Sequence, residues 1–136
     1  MTSQRTIVFL CPHNAAKSVI AAAYWQRLAD QRGWSVRATS AGTDPDLEVA
    51  PRVVTALLEE GLDVRGHRPR QVTREDLTTA WRIVALGCDL GALTPPGRTV
   101  EHWNDVPAPS SDLAGALDTI AAHVRRFAET CAAEIT

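Results

Sequence analysis

The chain has 136 residues, 45% of them hydrophobic and 22% charged, with a formal net charge of −2. A length of this order makes one domain that buries roughly two-thirds of its unfolded surface, so residues 1–136 need neither a disulfide nor a structural metal to hold together. The near-neutral charge argues against a nucleic-acid footprint or a polybasic membrane patch, and no apolar run approaches the length of a membrane span.

Met1-Thr2-Ser3-Gln4-Arg5 carries no signal-peptide pattern, so a cytoplasmic protein is expected. From Ile7 to Leu10 the residues are apolar and β-prone; the run stops at Cys11 and crosses Pro12, His13, Asn14, Ala15, Ala16 and Lys17 before an Ala-rich helical pattern begins at Ser18. This reads as strand, tight loop, helix. Such a junction aims successive backbone N–H groups and the positive end of a helix dipole at one point, which suits a tetrahedral oxyanion, and a cysteine at its mouth is placed to be held as thiolate. His13 either lines that anion site or merely fills the loop.

The first helix is predicted from Ser18 to Arg32, with Val19, Ile20, Ala23, Tyr24 and Leu28 facing inward and Gly33 as its stop. Trp34 to Ser40 reads as a second strand, and Ala41-Gly42-Thr43-Asp44-Pro45 as a turn. A second helix from Pro51 to Glu60 buries Val53, Val54, Leu57 and Leu58. Residues 62–72 are irregular and basic, and Thr73-Arg74-Glu75-Asp76 opens a short capped helix. Arg82 to Leu86 reads as a buried parallel strand closed by Gly87-Cys88-Asp89, and Thr99 to Trp103 as a last short strand. A Pro-rich loop, Asn104 to Ser110, leads into a final helix from about Ser111 to Ala133 whose stripe is Leu113, Leu117, Ile120, Val124, Phe127 and Cys131. His123 falls on the surface of that helix, and Trp81 and Trp103 read as packing residues. Strands alternating with helices predict an α/β fold with a parallel sheet, its ligand site beyond the carboxyl ends of the strands.

Cys11, Cys88 and Cys131 have neither an even count nor metal-ligand spacing, so reduced thiols, no metal and no cofactor are expected. Of the 14 basic residues 13 are arginine, and Lys17 is the only lysine. Composition drift toward arginine does not account for a sole lysine in the oxyanion loop.

Val8-Phe9-Leu10-Cys11-x-x-Asn14-x-x-Lys17-Ser18, Ser40-Ala41-Gly42-Thr43, Gly61-Leu62-Asp63-Val64 with Gly66-His67-Arg68-Pro69-Arg70, and Trp103 with Val106-Pro107-Ala108-Pro109 together resemble the low-molecular-weight protein tyrosine phosphatases and their arsenate reductase relatives. The resemblance implies a three-layer α/β/α fold with a four-stranded parallel sheet. It implies that Cys11 is the nucleophile, that Ser18 hydrogen-bonds its thiolate, that Asn14 braces the loop, and that the stretch from Pro12 to Lys17 binds phosphate, arsenate, a sulfate-like oxyanion or a phosphorylated substrate. A protein partner is compatible with it.

Two positions depart from the family. Lys17 stands where the family has arginine; it keeps the charge but cannot form two parallel bonds to two oxygens, and one charge-assisted bond is worth about 1.5–3 kcal/mol. Ala108 stands where the family has its acidic aspartate, leaving Asp105 as the nearby carboxylate for that role. Cys88 lies near the place of the reductases' resolving cysteine, yet no third cysteine follows between Leu90 and Thr94. Three readings result: a phosphatase-like hydrolase with an altered loop, an arsenate reductase using Cys11 with a small thiol or Cys88, and an impaired pseudo-phosphatase that binds an anion or a partner.

Overall fold

The apolar run that ends at Cys11 lies at the centre of the sheet, as its residues require: side chains on both faces of the strand are buried, so both faces must be covered. In the computed structural model, which describes residues 4–135, β1 (Thr6–Cys11) is flanked by β2 (Arg37–Gly42) and β3 (Arg82–Ala85), and β4 (Val100–His102) is the outer strand beyond β3. The order is β2-β1-β3-β4 and every pairing is parallel. Met1 to Ser3, in the stretch read for a leader, lie outside the described residues.

Ile7, Phe9 and Cys11 point into one apolar cluster with residues of α1 (Lys17–Arg32), α2 (Pro51–Glu59) and α4 (Leu113–Ile135). Val8 and Leu10 point to the other face, where Val72, Ile83, Leu90 and Leu77 of α3 (Arg74–Thr79) cover them. The result is the three-layer α/β/α arrangement.

Three expectations shift by identifiable causes. The second strand begins at Arg37, because Gly33 takes a left-handed turn at φ 69° that sends the Trp34 N–H back to the Ala29 carbonyl at 2.8 Å. Trp25, not among the residues expected inward, is fully buried and donates to the Val36 carbonyl at 3.2 Å, holding the segment off the sheet until Arg37. On the second helix Val53 and Leu57 are buried, whereas Leu58 is 42% exposed. The last helix follows its predicted stripe, and Phe127 meets the rings of Trp25 and Trp103 at 5.7 and 5.8 Å. Cys131 is in the core.

Ala41 and Gly42, expected in a turn, stay in the ladder opposite Leu10 and Cys11. Gly42 is needed there because a Cβ would lie 2.7 Å from the Pro12 carbonyl oxygen and 3.0 Å from the Asn14 nitrogen. Gly42→Ala is therefore expected to cost about 1–3 kcal/mol by overpacking, read from denaturant unfolding, with a matching loss of anion binding because the atoms it displaces belong to the oxyanion loop.

Candidate active site

β1 delivers Cys11 to the carboxyl edge of the sheet and α1 starts at Lys17, so the loop between them has five residues, Pro12 to Ala16, in which to reverse. Asn14 makes that reversal at φ 49°, in the left-handed region that asparagine tolerates better than most residues. Three outward carbonyls pin the loop: Pro12 accepts from the Asp44 N–H at 2.7 Å, His13 from Asp46 at 3.0 Å and Ala15 from Ala50 at 2.9 Å. A trans peptide sets N–H opposite to C=O. The N–H groups that follow those carbonyls therefore point the opposite way, inward from the β2–α2 segment.

A hydrogen-bond relay holds the sulfur. The Ser18 N–H donates to Cys11 Sγ at 3.4 Å, and Ser18 Oγ lies 3.0 Å from the same sulfur. Asn14 Nδ2 donates to Ser18 Oγ at 2.8 Å, which leaves the hydroxyl hydrogen free for the sulfur. Asn14 Oδ1 in turn accepts from the Arg70 N–H and from His67 Nε2, both at 3.1 Å. Ser40 Oγ stands 3.4 Å from His67 Nε2. Burial first, and then the Arg70 guanidinium, lower the His67 pKa, so the ring serves as a neutral Nε2–H donor. Ser40 and His67 were carried by the sequence segments that resemble the family, but their roles needed the fold, which brings residues 40 and 67 behind the loop.

Lys17 reaches across to the end of β3. A Cβ built on Gly87, itself at φ 78°, would meet Lys17 Nζ at 3.3 Å. Cys88 follows, half-buried; burial, then Cys11 and Asp89, push its thiol up to about 11, against the opposing charge of Lys17. At pH 7 only roughly one part in 10⁴ of such a thiol is ionised. All three cysteines are free.

The loop opens into a cleft of about 440 Å³. Cys11, Pro12, His13, Ala15, Ala16 and Lys17 form one side of it; Asp46, the start of α2 from Ala50 to Val53, and Pro109, Ser110 and Leu113 form the rest. No Phe, Tyr or Trp is among the described residues that line it. Asp46 and Arg52 are cleft residues with no signal in the sequence pattern.

Asp105 is not in the cleft. Its carboxylate accepts from His123 Nε2 at 2.6 Å, and this bond holds its carboxyl below the usual range, so it is an ionised group facing α4 rather than a proton donor facing Cys11. Nor is His123 a free surface residue: it stacks on Trp103 with centroids 4.8 Å apart and meets Arg126 at 3.0 Å. Ala108 is exposed, and the loop residues that do reach the cleft, Pro109 and Ser110, carry no acid. Among the described residues no group of His, Cys, Asp or Glu side chains could hold a metal ion, and no helix is long and apolar enough to cross a membrane.

The chain is similar to known proteins in sequence and in fold. The family model described as low molecular weight phosphotyrosine protein phosphatase matches residues 6–94. An arsenate reductase of Bacillus cereus strain G9842 is 30% identical over 136 residues, covering 96% of this chain and 98% of the relative. Among solved structures, YfkJ of Bacillus subtilis superposes with a TM-score of 0.88 at 20% identity, covering 99% of each chain. A thioredoxin-dependent arsenate reductase of Corynebacterium glutamicum superposes with a TM-score of 0.79 at 25% identity, covering 96% of this chain and 63% of that one.

Proposed function

This chain belongs to the low molecular weight phosphotyrosine protein phosphatase family, and we propose that it works within it as an arsenate reductase, with Cys11 as nucleophile and a small external thiol as reductant. One observation carries this reading: the sulfur and its relay are complete, while no acidic side chain from the 104–110 loop faces the cleft. Hydrolysis of a phosphate ester depends on an acid set on the leaving ester oxygen, a contribution of about 10²–10⁴ in rate. The hydroxyl of arsenate leaves as water, so its proton can come from any donor in the cleft and not only from an acid that the 104–110 loop sets on an ester oxygen.

The Cys11 thiolate attacks arsenic, forming an S–As bond as water departs. A thiolate from solution then attacks Cys11 Sγ; the S–As bond breaks and its electron pair stays with arsenic, which leaves as arsenite. The resulting mixed disulfide is opened by a second thiol, so two thiols become one disulfide and As(V) becomes As(III). Lys17 and the inward N–H groups hold the oxyanion charge. Cys88 is a poor candidate for the second thiol because so little of it is ionised near neutrality. Three free thiols suit a reducing, cytoplasmic setting.

Arsenite release with 2-mercaptoethanol as reductant tests the reading. Wild type and Cys88→Ser are expected to turn over at rates within about threefold of each other, and an inactive wild type would overturn the assignment. The intact relay also favours a second reading, weak hydrolysis of aryl phosphates whose leaving groups need little protonation. Lys17→Arg, by restoring the forked contact, is expected to raise p-nitrophenyl phosphate hydrolysis by about 10- to 100-fold; no gain would show that Lys17 does not touch the oxyanion.

A further inference from the structure

Attack at Cys11 requires a proton for the oxygen that leaves, and the 104–110 loop does not provide it. His13 lies in the cleft two residues beyond the nucleophile. Its Nδ1 meets two acceptors, the Asp44 carbonyl at 2.9 Å and the Asp46 carboxylate at 3.6 Å. A ring nitrogen facing only acceptors carries the hydrogen, so the neutral ring is the Nδ1–H tautomer and Nε2 is the nitrogen that gains and loses a proton. Protonation at Nε2 gives an imidazolium whose other N–H already points at a carbonyl and a carboxylate.

The mounting is rigid where it matters. The same segment that orients the ring is bonded to the loop through the Asp44 and Asp46 N–H groups, so ring and oxyanion loop are positioned together. The side chain is 56% exposed, which lets solvent reload it. The titratable and charged groups that line the cleft with it are Asp46 on the β2–α2 segment, Arg52 on α2, and Cys11 and Lys17 on the two ends of the loop. Among these side-chain types only imidazole ordinarily changes charge between about pH 5 and 8.

We propose that His13, as imidazolium, is the proton donor of this site. As the Cys11 thiolate forms its bond to arsenic, the As–O bond breaks, Nε2 gives its proton to the departing hydroxyl, water leaves, and the neutral ring takes a proton back from solvent. With a phosphate ester the same transfer releases the alcohol or phenol. The proposal rests on Cys11 as nucleophile but not on arsenate as the substrate.

The test compares wild type, His13→Gln and Asp46→Asn in arsenite release and in phenyl phosphate hydrolysis, each from pH 5 to 9. Wild-type kcat is expected to fall as pH rises through the imidazole's titration. His13→Gln should lower kcat about 100-fold and abolish that limb, while KM for arsenate changes little and phosphate still protects Cys11 from alkylation. Asp46→Asn, which leaves Nδ1–H bonded to the Asp44 carbonyl, should keep the limb. A His13→Gln enzyme that keeps the wild-type kcat and limb overturns the proposal. If arsenate is not reduced at all, the function proposed above fails and phenyl phosphate decides: a His13-dependent limb supports the proton donor, and its absence, including absence of turnover, overturns it.

Discussion

Replacing Cys11 with serine is expected to reduce arsenite release to the uncatalysed background, a loss on the order of 10⁶-fold for a site whose groups act as a unit, while the protein folds and still binds phosphate. A hydroxyl in this position is not ionised near neutrality, so the Ser18 N–H and O–H that converge on the sulfur would have no anion to hold. The fold should tolerate the change, because the side chain is of similar size and sits at the end of β1. The measurement pairs an arsenite assay with thermal unfolding in the presence and absence of phosphate. Phosphate-dependent stabilisation without turnover is the expected result. Residual turnover would move the chemistry to Cys88, since Cys131 is buried within the α4 stripe.

Asn14→Ala is expected to be the most destabilising single change in the loop, by about 3–4 kcal/mol, because two half-buried donors lose their acceptor at about 1 kcal/mol each and alanine is forced into a left-handed conformation costing about 1–2 kcal/mol. Asn14 is fully buried, and it alone links the Arg70 N–H and His67 on one side to Ser18 on the other. For a domain of typical stability, about 5–15 kcal/mol, such a loss is a large fraction of the total. Urea unfolding gives the stability, and Asn14→Asp separates it from function. Aspartate keeps the acceptor oxygens for His67 and Arg70 but cannot donate to Ser18, so stability should recover in part while the rate of Cys11 alkylation by iodoacetamide falls, the relay to the sulfur being broken. Equal stability of Asn14→Ala and wild type would show that the loop is held by its outward carbonyls alone.

Much of this architecture was readable from local patterns. The apolar run from Ile7 to Leu10 had to be a doubly covered strand, and the four-three spacing from Leu113 to Cys131 had to be a core-facing helix stripe, because each pattern leaves only one way to bury its side chains. The failures came where a distant group overrode a local preference. Ala41-Gly42 carries turn chemistry, yet pairing with Leu10 and Cys11 keeps it extended. Leu58 fits a helical stripe by spacing, but the fold leaves it 42% exposed. His123 read as helix surface because Trp103 and Asp105 lie 20 and 18 positions away in the chain.

By itself the sequence determined the strand, loop and helix around Cys11 and the single lysine within it, since backbone propensity, small residues and a helix start act over a few positions. Tertiary structure alone decided which groups serve that loop. Asn14 is braced from residues 67 and 70, Lys17 rests against Gly87, His13 is oriented by residues 44 and 46, and Asp105 is drawn away to α4. Those are hydrogen bonds and charge contacts made across the carboxyl edge of a parallel sheet, where segments far apart in sequence end side by side, so chain spacing carries no trace of them.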